Sequence, residues 1–395
     1  MLAALAGDSF PCELRNSLRS EDTEIMIDAL RSLAFEVKTD WKANSLWVYR
    51  GESKLIPASE ADLFLGNSGT SMRFLTALVS LGHGRYRLDG VPRMRERPIA
   101  DLINAMKSLG VIIHSEADNG CPPVLVEADG LSGGRVSVRG DVSSQFLSAL
   151  LMVAPFARKD VLLEVDGPLV SQPYIAMTVA MMRDWGAKVT IVDGSFRVEA
   201  TQEYRRSDYS IEPDASAASY FWAAAAITGG RVTMSGLNRN SLQGDVRFVD
   251  VLQQMGCRVE ECDTGITIHG KPLRGVDVDM NDISDTVMTL GAVACFAEGP
   301  STIRNVAHIR HKETDRIAAL ATELRKLGAE VVERSDGLTI TPRPLTGCAV
   351  DTYNDHRMAM SLALIGLKVP GVVIRNPGCV AKTYPGFWRD FQRLG

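Results

Sequence analysis

The chain has 395 residues, 45% of them hydrophobic and 23% charged, enough apolar material for a large core spread over two or three domains. Forty-three Lys and Arg against 48 Asp and Glu leave a net charge of −5, which argues against the broad basic surface of a nucleic-acid binder, so any anion is held locally. No apolar run approaches the length of a membrane span, MLAALAG lacks a basic leader region, and seven Cys without CxxC spacing read as reduced thiols; a cytoplasmic protein is expected, unless an upstream transit peptide was removed.

In chain order the elements repeat. MLAALAGDSFPCEL predicts a short apolar helix ending at Gly7, and RSLAFEVK a second helix that passes into a strand after Ala34. A polar cluster then opens an apolar helix, followed by a Gly or charged break and an extended run, in NSGTSMRFLTALVSLGHGRYRL. The same design recurs in DVSSQFLSALLMVAPFARKDVLLEV, DASAASYFWAAAAITGGRVTM, SDTVMTLGAVACFAEGPSTIRNV and NDHRMAMSLALIGLKVPGVVI. Openings at Asn67, Asp141, Asp214, Asp285 and Asp355 stand 74, 73, 71 and 70 residues apart. Between them lie second helices, MKSLGVII, MRDWGAKV, LQQMGCRV and LRKLGAEV; their landmarks Ala34, Gly110, Gly186, Gly256 and Gly328 are 76, 76, 70 and 72 apart.

Each unit therefore alternates helix, strand, helix and strand, which predicts an α/β (α+β) fold with helices layered on sheets. Six such units group by threes into two domains, residues 1–212 and 213–395, divided at the turn containing Pro213. The first unit is expected to be incomplete. Gly82 and Gly229 lie 15 residues after their openings, so the opening that belongs to Gly7 would fall about eight residues before Met1. FWRDFQRLG copies the second helix and stops at Gly395, where the other copies continue into a strand.

The polar openings carry the chemistry. Helix N-termini expose free N–H groups and the positive end of a dipole, and so bind anions, although Ser, Asp and Asn there are also ordinary caps. Cations cluster at the second-helix starts: Arg93, Arg95 and Arg97 in RMRERPIADL, Lys312 and Arg316 in HKETDRIAAL, Lys382 in AKTYPGFW. Together they predict a cage for a highly anionic substrate. There is no GxxxxGK[ST], GxSxG or HExxH, and His311, Glu313, Asp355 and His356 match no standard metal-ligand spacing, so neither metal nor cofactor is expected.

The segments LGNSGTSMR, RMRERPI, GDVSSQFLSALL, LVSQPY, DASAASYF, RNSLQGD, KETDRIAALATELRKLGAEV, YNDHRMAMSLAL and CVAKTYPGF are similar, in order and across essentially the whole chain, to those of the 5-enolpyruvylshikimate-3-phosphate synthase family. The resemblance implies a two-domain inside-out barrel of βαβαββ units, three per domain, closing on substrates in a cleft. It implies a monomer, with no nucleic-acid or membrane partner, that moves the enolpyruvyl group of phosphoenolpyruvate to the 5-hydroxyl of shikimate 3-phosphate and releases phosphate. By the same resemblance Ser143, Ser144, Gln145, Ser171, Tyr174, His308 and Lys312 hold shikimate 3-phosphate. Asn67, Gly69, Thr70, Arg97, Arg316, Arg357 and Lys382 surround phosphoenolpyruvate, Asp285 takes the hydroxyl proton and Glu313 exchanges protons at the methylene.

Several positions depart from the family pattern. His308 stands where many members have Asn; Phe74 replaces a Pro after Arg73, and Ser68 and Ser71 replace Ala, which is expected to alter affinity for phosphoenolpyruvate and its competitor glyphosate. A Lys-Ser-x-x-x-Arg segment that contacts both substrates in the family would lie ahead of Met1. Two alternatives to an active synthase follow: a remnant that binds shikimate 3-phosphate without catalysis, or the sister transferase acting on a UDP-sugar, whose loop Cys motif has no match here.

Overall fold

The computed structural model describes residues 1–6, 11–51 and 55–394, in two compact lobes, Met1–Ile211 and Glu212–Gly395. Gly7 and Gly395, which close the first and last predicted helices, lie outside the described residues.

The first lobe contains three four-stranded sheets of one pattern: a parallel pair at one side, then two antiparallel neighbours. Two of them arise from continuous runs. Strands Glu60–Phe64, His83–Asp89, Val124–Asp129 and Ile112–Ser115 form one, and Gly134–Arg139, Val161–Asp166, Ser195–Val198 and Val189–Val192 the other. In both the chain order is strand, helix, strand, helix, strand, strand, with helices Gly69–Val79 and Ala100–Ser108, then Ser144–Val153 and Gln172–Asp184. The third sheet joins distant parts of the chain. Asp208–Ser210 runs parallel to Cys12–Arg15, Glu13 opposite Asp208, and Ser45–Tyr49 and Glu36–Asp40 complete it.

The second lobe repeats the pattern once in full: Asp277–Asp279, Ser301–Arg304, Gly337–Thr341 and Glu330–Arg334. A three-stranded sheet, Arg231–Ser235, Gly265–His269 and Arg258–Cys262, and a parallel pair, Ala349–Val350 with Val373–Ile374, make up the rest. The α/β architecture is that expected from the repeat.

The landmark after each second helix has a backbone cause. Gly110, Gly186, Gly256 and Gly328 all take φ between 89° and 113°, the left-handed region that closes a helix, and Ala34 holds φ 65° in the same place.

Helices that start at the polar openings form the cores. Helix Ala215–Thr228 is buried along nearly its whole length, and its run of alanines keeps it thin enough to be enclosed. Ser219 on that helix, Thr289 on Val287–Ala294 and Ser361 on His356–Ala363 are all buried, with hydroxyls at 3.1 Å and 3.4 Å along the chain of three. Those residues are 70 and 72 positions apart, so equivalent points of three repeats meet and bring the starts of their helices close together.

Candidate active site

Capping and chemistry divide the openings. Asp214 and Asp355 cap their helices, accepting from the N–H of Ala217 and of Arg357, and Ser143 accepts from that of Gln145. Asp141 instead pairs with Arg139 in front of Ser143. The helix expected to open at Asp285 begins at Val287, after a 3-10 turn over Asn281–Thr286 in which Ile283 leaves helical geometry. Among the described residues no side chain caps that helix, and the Asp285 carboxylate is held instead by two guanidinium groups.

Arg316, the first residue of helix Arg316–Lys326, is 1% exposed. A guanidinium taken that far out of water needs carboxylates around it. Its Nε donates to Asp355 Oδ2 at 2.8 Å, Nη2 to Glu313 Oε2 at 2.8 Å and Nη1 to Asp285 Oδ1 at 3.1 Å. Arg357 Nη2 donates to the other oxygen of Asp285 at 2.8 Å, and Lys382 Nζ lies 3.6 Å from Glu313 Oε1. Asp285, Glu313 and Asp355 thus face Arg316, Arg357 and Lys382.

Burial alone would raise the Asp285 carboxyl, but Arg357, Lys312 and Arg316 together hold it well below the usual carboxylate range. His308, buried beside the cluster, is pushed down to about 4 by burial and then by Lys312. His356 is pushed down to about 3 by burial, and among the described residues neither ring nitrogen has a hydrogen-bond partner.

The first lobe gathers a second set at its own helix starts. Arg97 is 4% exposed and its Nη1 donates to Asn67 O at 3.3 Å and Asn67 Oδ1 at 3.4 Å. Its guanidinium lies against Gly69: a Cβ there would stand 2.5 Å from Arg97 Nη2 and 2.7 Å from Arg73 Nη1. Thr70 is exposed and its hydroxyl accepts from Gln145 Nε2 at 3.0 Å, linking two helix N-termini. Ser144 begins its helix beside Gln145, while Ser171, buried at φ 55°, and half-buried Tyr174 begin the next. A buried hydroxyl pair, Ser148 with Thr178 at 2.8 Å, joins those two helices.

The cation clusters predicted at second-helix starts divide in the structure. Arg95 takes Asp89 with both arms, Arg93 pairs with Glu96 and Arg97 turns toward Asn67. Asp355, read from sequence as a helix opening, is the fully buried anchor of Arg316; a capping Asp one residue ahead of His-Arg was the available signal. Among the described residues no group of three or more His, Cys, Asp or Glu is arranged to hold a metal.

A family model for EPSP synthase (3-phosphoshikimate 1-carboxyvinyltransferase) matches residues 1–391. The chain is 50% identical over 398 aligned positions to the 3-phosphoshikimate 1-carboxyvinyltransferase of Nostoc punctiforme, covering 100% of this chain and 92% of that one. It is 45% identical to the chloroplastic 3-phosphoshikimate 1-carboxyvinyltransferase of Arabidopsis thaliana, with 100% of this chain and 79% of that protein aligned. In fold it is similar to EPSP synthase from Acinetobacter baumannii, with a TM-score of 0.83 at 24% identity over 100% of this chain and 92% of that one.

Proposed function

The chain belongs to the EPSP synthase family, and from that premise we propose how its residues carry out the family's reaction. The reaction transfers the enolpyruvyl group of phosphoenolpyruvate to the 5-hydroxyl of shikimate 3-phosphate and releases phosphate, a step in aromatic amino acid biosynthesis. Phosphoenolpyruvate is gripped by Arg316, Arg357 and Lys382 together with Asn67, Gly69, Thr70 and Arg97. Shikimate 3-phosphate is held by Ser143, Ser144, Gln145, Ser171, Tyr174, His308 and Lys312. The protein works as a cytoplasmic monomer of two domains, 1–212 and 213–395, three repeat units to each.

The observation that carries this reading is the set of contacts around Arg316, in which Asp285, Glu313 and Asp355 face Arg316, Arg357 and Lys382. An incoming phosphate and carboxylate compete for the same guanidinium groups, whose planar forks suit both. As Arg357 and Arg316 turn to the substrate, Asp285 loses the contacts that depress it and becomes basic enough to take the 5-hydroxyl proton. Glu313, between Arg316 and Lys382, is placed for proton transfer at the methylene carbon. The cations left around the tetrahedral intermediate stabilise its charge, which supplies the larger part of the rate.

The test is phosphate release by the 395-residue chain given both substrates. Release that requires both and falls by about 10²–10⁴ in Asp285→Asn fits the reading. No release from any combination of the two compounds rejects it.

A further inference from the structure

Glu323 has no part in the grip described above, yet it is fully buried, and its contacts belong to the segments that deliver that grip. It lies two turns along helix Arg316–Lys326, the helix whose first residue is Arg316. Its Oε1 accepts from Tyr353 Oη at 2.6 Å and Lys326 Nζ at 2.8 Å, and its Oε2 accepts from the backbone N–H of Asp351 at 3.0 Å. Asp351 and Tyr353 belong to the loop between strand Ala349–Val350 and helix His356–Ala363, which ends on Asp355.

That loop needs an outside hold. Tyr353 and Asn354 are consecutive non-glycine residues at φ 54°, a left-handed conformation that side chains resist unless their surroundings enforce it. Glu323 holds the loop from one side. From the other, Asn376 Nδ2 donates to Asn354 Oδ1 at 3.1 Å, and Asn376 leads into the turn Pro377–Lys382. A polar strap therefore crosses the three segments that carry Arg316, Arg357 and Lys382.

We propose that Glu323 is a positioning residue: by pinning the loop 351–355 to the Arg316 helix, it sets where Asp355 and Arg357 stand relative to Arg316, and thereby the affinity for phosphoenolpyruvate. The inference rests on the reading of the site given above. A carboxylate that merely glued helix to loop would change stability alone, whereas a positioning carboxylate changes the grip on one substrate.

The experiment measures KM for each substrate and the melting temperature in the wild type, Tyr353→Phe, Glu323→Gln and Thr322→Gly. Thr322 is exposed on the same helix, so Thr322→Gly loosens the helix and leaves the strap intact. Tyr353→Phe is expected to raise KM for phosphoenolpyruvate about threefold to tenfold, and Glu323→Gln about tenfold or more, with KM for shikimate 3-phosphate changing less. Thr322→Gly is expected to lower the melting temperature and leave both KM values alone. Unchanged KM in Tyr353→Phe overturns the proposal, as does an equal rise in Thr322→Gly. If Glu323→Gln does not fold, Tyr353→Phe decides by itself. A wild type that releases no phosphate rejects the function reading; calorimetric titration with phosphoenolpyruvate then decides the positioning, which is supported by weaker binding in Tyr353→Phe. Equal binding, or none by either protein, overturns it.

Discussion

Gly69→Ala tests the first-lobe site most directly. The new methyl carbon would stand 2.5 Å from Nη2 and 2.9 Å from Cζ of Arg97, and 2.7 Å from Nη1 of Arg73, roughly 1 Å inside ordinary contact. Both obstacles are the far ends of long side chains, so the guanidinium groups give way before the backbone does. For Arg97 that means leaving Asn67 O and Oδ1, now at 3.3 Å and 3.4 Å. A guanidinium moved off those partners no longer stands where the proposed grip on phosphoenolpyruvate needs it, and two charge-assisted hydrogen bonds to that anion at about 1.5 kcal/mol each come to about 3 kcal/mol, or about a hundredfold in kcat/KM. Stability should suffer less, by about 1 kcal/mol or a few degrees, as Arg73 adjusts beneath Gly69 O. Steady-state phosphate release with phosphoenolpyruvate varied reads the first effect, and thermal melting the second. In an Arg97→Ala background the same Gly69→Ala change should cost little in kcat/KM, since the Arg97 guanidinium is already gone and only Arg73 has to adjust. A single variant within about threefold of wild type, or a double variant with fully additive losses, would refute the reasoning.

Protonation supplies another prediction. Burial holds His356 near 3 and His308 near 4, while unfolded imidazoles titrate near 6.5. The folded chain therefore binds fewer protons between those values, and stability is lost as pH falls from about 6.5 toward 4. At pH 5.5 the loss is about 1.4 kcal/mol per ring relative to pH 7.5; urea midpoints should show His356→Leu losing less than wild type, and equal losses would count against it. Asp355→Asn should destabilise the chain by about 3–5 kcal/mol, because Arg316 is left in the interior without its anchor; a melting temperature within a degree or two of wild type would contradict this. Phe74 packs half-buried on the first-lobe core in helix Gly69–Val79. Phe74→Pro removes an N–H in that helix's second turn and should shift both KM for phosphoenolpyruvate and inhibition by glyphosate; indistinguishable inhibition would dismiss the idea.

The repeat was legible because its cause is local. A helix buried on most sides must be apolar throughout, and a helix closed by a left-handed residue favours Gly, so Gly110, Gly186, Gly256 and Gly328 marked the period. Pairing of charges was not legible. Arg95 and Arg97 are the same residue type two positions apart, yet the irregular turn that holds them sends one to Asp89 and the other to Asn67. Asp285 resembled the capping Asp214 and Asp355, but its fate depended on Arg316 and Arg357, 31 and 72 residues away. The short strand Asp208–Ser210 carried no periodic signal, and its partner lies nearly the whole lobe earlier in the chain.

That last pairing bears on how the protein is made. Glu13 and Asp208 face each other across a parallel ladder, so the first sheet cannot close until about 200 further residues have been synthesised. At ordinary elongation rates the early strands wait on the order of 10–40 s for their neighbour. The sheets built from Glu60–Asp129 and Gly134–Val198 meet no such delay, because each has all its strands within one short stretch. Synthesis thus leaves the strands around Cys12–Arg15 waiting longer than those of the other two sheets, and their open side is where a nascent chain would most need shielding from its neighbours.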